Sequence, residues 1–225
     1  MTLLTPLIVL LLATSLGSPW LDTLYRVLYT FAGAALGLIA GYLLWPEWER
    51  QRVPDQLANA IRANRRYMLQ VLQALTGAAT PPEALGETRR QAEIATGNAE
   101  AGFQRLLTEP RKHRGGIALA FALITYVQRL ERHLIALAAH IGTVTLPSAD
   151  LTELAARLGS TQEAIAAAIL ESRAPELCPS FDEWLGRLRV KLSGGEPTGP
   201  GSTVAFLLGR LVSDTTSLHF AATTK

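Results

Sequence analysis

Cysteine is almost absent from this 225-residue chain. Cys178 stands alone, so no internal disulfide can close, and cysteine usage leaves the compartment open. Blocks of one charge sign are missing too. Lys and Arg number 21 against 19 Asp and Glu, interspersed, for a net charge of +2. That balance excludes the electrostatic footprint of a nucleic-acid binder. No phosphate loop, dinucleotide fingerprint, zinc-spaced cluster or G-x-S-x-G elbow occurs. His133 and His140 lie seven residues apart, roughly 10 Å along a helix, too far to share a metal. They read as core-edge or surface histidines. Asp182 and Glu183 beside Trp184 read as helix N-terminal charges rather than an acid–base pair. Glu131 and Arg132 read as solvated. No catalytic residue, metal site or cofactor is expected, and no enzyme.

Long apolar runs are present, and they are unevenly placed. The first 45 residues hold two charges, Asp22 and Arg26. Val27 to Trp45 holds none and carries Gly33, Gly37 and Gly41 at a spacing of four. About 20 apolar residues let a helix cross roughly 30 Å of hydrocarbon. Glycines four apart share one face and admit a second helix closely. The exit, Leu44-Trp45-Pro46-Glu47-Trp48, reads as an interfacial stop. Upstream, Leu3 to Leu16 is a shorter apolar run interrupted by Pro6, and Gly17-Ser18-Pro19 is a turn. Together they predict a transmembrane helical hairpin packed in the lipid bilayer. A cleaved signal peptide is the rival reading, but no basic n-region and no clear small-x-small cleavage pattern supports it. Arg50, Arg52, Arg62, Arg65 and Arg66 follow the exit, which places both chain ends in the cytoplasm under the positive-inside rule. Asp22 and Arg26, at i and i+4, read as an outer-boundary ion pair, with a polar contact in a substrate path as the sharper alternative.

Beyond residue 46 no strand alternation competes with helical spacing. Val53-Pro54-Asp55 reads as a helix start. Leu57, Ile61, Met68, Leu69, Leu72 and Leu75 form an apolar stripe. A second helix starts near Pro82 and runs to about Thr108 on Leu85, Ile94, Phe103, Leu106 and Leu107. Arg111-Lys112-His113-Arg114 lies in the following loop and reads as solvated, with contact to anionic lipid as the alternative. Ile117 to Ile141 is the most apolar later stretch. Its uncharged part is too short for a span and fits a buried helix. Pro147 opens another helix, and Phe181 to Leu192 a short amphipathic one. The expected organisation is all-α: a hairpin over 1–46, an antiparallel cytoplasmic helical bundle over 47–192, a flexible Gly/Pro linker over 193–202 and a last helix over 203–225.

The segment Gly41-Tyr42-Leu43-Leu44-Trp45-Pro46, with Asp22-Thr23 and Arg26 upstream, resembles the fusaric acid resistance and aromatic acid exporter family. So do Tyr67-Met68-Leu69, the run Asn98 to Pro110, and the helix from Arg129 to His140. The resemblance covers residues 20–145 best, and Trp-Pro at a membrane exit is moderately specific. It implies a multi-pass bacterial inner-membrane protein that exports aromatic carboxylic acids or related toxic compounds on the proton gradient. It also implies that Trp45 and Pro46 form the structural exit motif. Two apolar helices stand here where the family has several. The implied chain is therefore the C-terminal part of such a transporter, a fragment or subunit whose partners are the missing helices or further copies of itself. A membrane-anchored scaffold or signalling module is the alternative.

Overall fold

A computed structural model describes residues 19–44, 49–108, 116–176, 178–192 and 199–223. The described residues are helical, with an isolated bridge between Ile141 and Val144 and no strand. The chain divides into two units, Met1–Glu47 and Trp48–Lys225.

The first unit contributes helix α1, Pro19–Leu44. Its leading proline fits the first helical turn, where the missing N–H has no intrahelical acceptor to lose. At 1.5 Å per residue its length is roughly 39 Å. The first half of the expected hairpin, Leu3 to Leu16, lies outside the described residues, as do Trp45 and Pro46.

Among the described residues the second unit holds six helices: α2 Glu49–Leu75, α3 Pro82–Thr108, α4 Ile117–Ala138, α5 Ser148–Leu170, α6 Asp182–Leu192 and α7 Pro200–Thr223. α2 begins before the expected start, so Pro54 sits inside the helix. Near a helix start the missing N–H and the ring disturb few bonds, which is why the helix tolerates it. α3 opens on Pro82 with Glu83 in its first turn, both favourable at a helix N-terminus. α4 follows Gly116, whose φ of 76° is left-handed and suits glycine. α5 ends at Leu170, and the chain leaves it through Ser172 at φ 52°, a left-handed non-glycine position. α7 opens on Pro200, so residues 200–202 are helical rather than linker.

The helix stripes close over two apolar clusters. One gathers Met68, Leu72, Leu75, Leu134, Leu137, Leu154, Leu158, Trp184, Leu208 and Leu211. The other gathers Leu57, Ile61, Phe103, Leu106, Leu123, Val127, Ile165 and Leu218. α7 supplies both clusters and is a core element. Ile94, placed by spacing on the apolar stripe of α3, is instead 51% exposed.

The boundary between the clusters is polar. Along α2 the change comes at Asn64, along α3 at Thr96, along α5 at Gln162 and along α7 at Thr215, all four buried. Asn64 Nδ2 donates to Thr96 Oγ1 at 3.0 Å and to Ala60 O. Gln162 Nε2 donates to Thr215 Oγ1 at 3.3 Å, and the Thr215 hydroxyl donates to Leu211 O. A buried amide without such partners costs several kcal/mol, so these pairs fix the register of each helix against its neighbour.

Candidate functional site

α1 carries the clearest functional signal. Every described side chain from residue 20 to 39 is exposed, including Trp20, Tyr29, Phe31, Leu36 and Leu38. Thr23–Ala40 is long and apolar enough to cross a membrane, the one such helix among the described residues. In water this surface would forfeit about 25 cal/mol for each Å² of apolar area left exposed. Lipid removes that penalty. Thr30 returns its hydroxyl to Arg26 O at 2.8 Å, which satisfies a polar group without an outside partner.

Gly33 and Gly37 meet no atom within 4 Å of where a Cβ would stand. Among the described residues the glycine face is open. Gly41 continues it in sequence and also lies in α1. Asp22 and Arg26 both fall in α1, but the Asp22 side chain lies outside the described residues, so their expected ion pair does too. Trp45 and Pro46, the exit motif, lie outside them likewise.

In the bundle the structure brings together residues that spacing kept apart. The Asp214 carboxylate on α7 is fully buried. His133 Nδ1 on α4 is 2.5 Å from its Oδ2. Arg129 Nη2, one turn earlier on α4, stands 3.1 Å from Oδ1 at ion-pair distance, at an angle that makes no hydrogen bond. A buried charge persists only when paired, so these two side chains hold the carboxylate in the core. His133 is thus a core-edge histidine with a defined partner. Asp214 is a residue sequence reasoning missed. A lone Asp within the apolar periodicity of α7 was the available signal.

Glu131, expected to be solvated, is half-buried and hydrogen-bonded to Thr96; burial pushes its carboxyl above the usual range. Burial also raises the Tyr67 phenol and the Cys178 thiol. On the α2–α5 side, Arg62 Nε donates to Glu163 Oε1 at 2.8 Å and Arg65 Nε to Gly159 O at 2.9 Å. A Cβ at Gly159 would stand 3.4 Å from Arg65 Nε, in ordinary van der Waals contact.

A mostly apolar cavity of about 510 Å³ opens where helix ends meet. Val53 and Leu57 of α2, Leu106 of α3, Leu119 and Leu123 of α4, and Ile169 of α5 line it, with Arg173 beside them. Arg173 Nε donates to Glu171 Oε2. Among the described residues no three His, Cys, Asp or Glu side chains are placed to hold a metal ion.

No family model matches the chain. Inner membrane protein YccS of Escherichia coli (strain K12) is 27% identical over 146 residues. That match covers 65% of this chain and 20% of YccS, so the chain spans about a fifth of that relative's length. No solved structure matches. The similarity relates the chain loosely to an inner membrane protein.

Proposed function

We propose that this chain is the membrane-exit and cytoplasmic helical portion of an inner-membrane efflux transporter of the fusaric acid resistance type. Its cargo in this reading is aromatic carboxylic acids or related toxic compounds. The observation that carries the reading is α1, an apolar helix whose described side chains from residue 20 to 39 are exposed and whose glycine face is open among the described residues. The similarity to an inner-membrane protein supports it.

The physics of lipid requires more than this chain offers alone. Hydrocarbon cannot satisfy the polar groups of a substrate or an open backbone, so one or two helices cannot enclose a path. Gly33 and Gly37 then belong to contacts with other membrane helices, whether the missing transporter helices or other copies. Leu3 to Leu16 completes a hairpin, and the arginines after Trp45 hold the bundle and both chain ends in the cytoplasm. No nucleic acid, cofactor or catalytic step enters this reading.

The test is efflux of a labelled aromatic carboxylate from energised bacterial cells deleted for other exporters. Cells carry either the full chain alone or the full chain with the membrane helices of a complete exporter of this type. Export restored only in the second set supports the subunit reading. Unchanged retention in both sets contradicts it. A second reading, a membrane-anchored helical scaffold, is favoured by the bundle's own complete core. It predicts stable capture of cytoplasmic partners with no dependence on aromatic acids.

A further inference from the structure

The bundle is polarised along its length. One end gathers the starts of α2 and α4 and the ends of α3, α5 and α7, because residues of all five line the apolar cavity there. Three of these helices lose their charges toward that end. Ile117 to Gln128 on α4 and Ala164 to Leu170 on α5 carry none. Leu211 to Thr223 on α7 holds Asp214 and His219, both buried. Ion pairs of the kind a solvated face carries lie farther off. Arg89 with Glu93 and Arg90 with Glu87 stand in the first half of α3, and Arg157 with Glu153 in the first half of α5. At the cavity end Arg173 is paired with Glu171.

What this end presents to solvent is apolar. Phe121, in the second turn of α4, is 59% exposed, and Phe220, in the last turn of α7, is 69% exposed. Leu170, the last residue of α5, is exposed as well. Phe121 rests against Phe103 of α3, with ring centroids 6.0 Å apart, and Phe220 flanks the groove between α4 and α7. One exposed apolar side chain needs no explanation, but three on three helices rim a single end. The sequence adds charge here with one sign in excess. α2 opens Glu49-Arg50-Gln51-Arg52, and α3 carries Arg105 in its last turn. Arg111-Lys112-His113-Arg114, outside the described residues, follows between Thr108 and Gly116. Glu49, Asp55 and Glu109 are the acids among them. In sequence, residues 45–48 alone separate α2 from the membrane-length helix α1.

We infer that this end of the bundle docks on an anionic lipid surface, with Phe121 and Phe220 entering the headgroup layer. Aromatic side chains at a rim suit the membrane–water boundary, where an apolar ring and a wet surround are both satisfied. Basic side chains around them are drawn to anionic headgroups, and the attraction fades within a Debye length. Neither feature holds a bundle alone, but together they are the two signals that stable surface attachment needs. The other end, rich in paired charges of both signs, offers a lipid surface nothing comparable. The inference rests on α1 as a membrane helix and does not depend on which compound, if any, is exported.

The full chain in reconstituted vesicles, with Cys178→Ala as background, tests it. Flotation of the chain with the vesicles checks α1 separately. Ala118→Cys and Thr223→Cys place single exposed thiols three residues from Phe121 and Phe220, and Gly86→Cys near the start of α3 is the control. Each carries a small environment-sensitive fluorophore. In vesicles containing phosphatidylglycerol, a nitroxide at headgroup depth is expected to quench the first two at least about twofold more than the control. The excess should shrink in phosphatidylcholine alone and at high salt. Adding Phe121→Ser and Phe220→Ser together should lower it further. Equal quenching at all three positions overturns the inference. An excess unchanged in phosphatidylcholine, or unchanged without the two phenylalanines, overturns it too. Labels shielded from both the nitroxide lipid and aqueous iodide give this end to a protein partner and overturn it as well.

Discussion

Removing the two side chains that hold Asp214 should destabilise the bundle more than removing Asp214 itself. The reason is where each charge would be stranded. The Asp214 side chain is wholly inaccessible, whereas those of Arg129 and His133 are 40% and 26% exposed. Asp214→Asn keeps the shape and frees two partly exposed side chains that can rehydrate, so a cost of about 1–2 kcal/mol is expected. Arg129→Ala leaves the short His133 contact in place and should cost about 1 kcal/mol. His133→Ala removes a hydrogen bond to a charged group, about 2 kcal/mol. The double variant leaves an unpaired carboxylate in the core, for which about 5 kcal/mol is expected, above the sum of the singles. Urea unfolding of the full chain in detergent, followed by circular dichroism, measures all four. The cycle should show a coupling of about 1–2 kcal/mol between Arg129 and His133. Additivity within about 0.5 kcal/mol, or an Asp214→Asn cost equal to the double variant's, would refute this account of the buried charge.

Other consequences are as specific. Gly97→Ala, where nothing lies within 4 Å, should stabilise α3 by up to about 1 kcal/mol in thermal unfolding. Gly102→Ala should cost little in thermal unfolding, because its Cβ would fall 1.8 Å from Gln56 Oε1, an atom that makes no hydrogen bond among the described residues, at the end of a flexible side chain that can swing aside. Glu131→Gln should be more stable than the parent at neutral pH. Burial raises the folded carboxyl, so the stability Glu131 contributes is present at low pH and lost as pH rises through the raised value; the advantage of Gln should vanish in acid. Gly37→Leu should leave the bundle's unfolding unchanged, since no neighbour stands there, while reducing energy transfer between labelled membrane helices.

Much of this fold is legible in the chain because it is local. The stripe Leu57, Ile61, Met68, Leu69, Leu72 and Leu75 repeats at helical spacing, and five of the six are buried, with Leu69 partly so. Ile94 follows similar arithmetic yet faces out, because α3 is covered on one side only and spacing cannot fix the width of that cover. Pro54 reads as a start because proline favours first turns, but a helix can extend ahead of it by a turn. What stays hidden are pairings across helices. Asp214 and His133 are 81 positions apart, Asn64 and Thr96 are 32, and Gln162 and Thr215 are 53. None has a local pattern, and each depends on how two stripes align. The same holds for Glu131, which reads as a surface charge until α3 brings Thr96 to it. In α1 the reverse applies: its uncharged run and glycine spacing carry the functional signal directly.

In the proposed reading α1 crosses the inner membrane with the bundle on the cytoplasmic side. Single cysteines at Ser18 and Gly97, in a Cys178→Ala background, test it in intact cells with a membrane-impermeant maleimide. Ser18→Cys should be labelled from outside, and Gly97→Cys only after permeabilisation. Labelling of Gly97→Cys in intact cells, or release of the chain from membranes by alkaline carbonate, would contradict it.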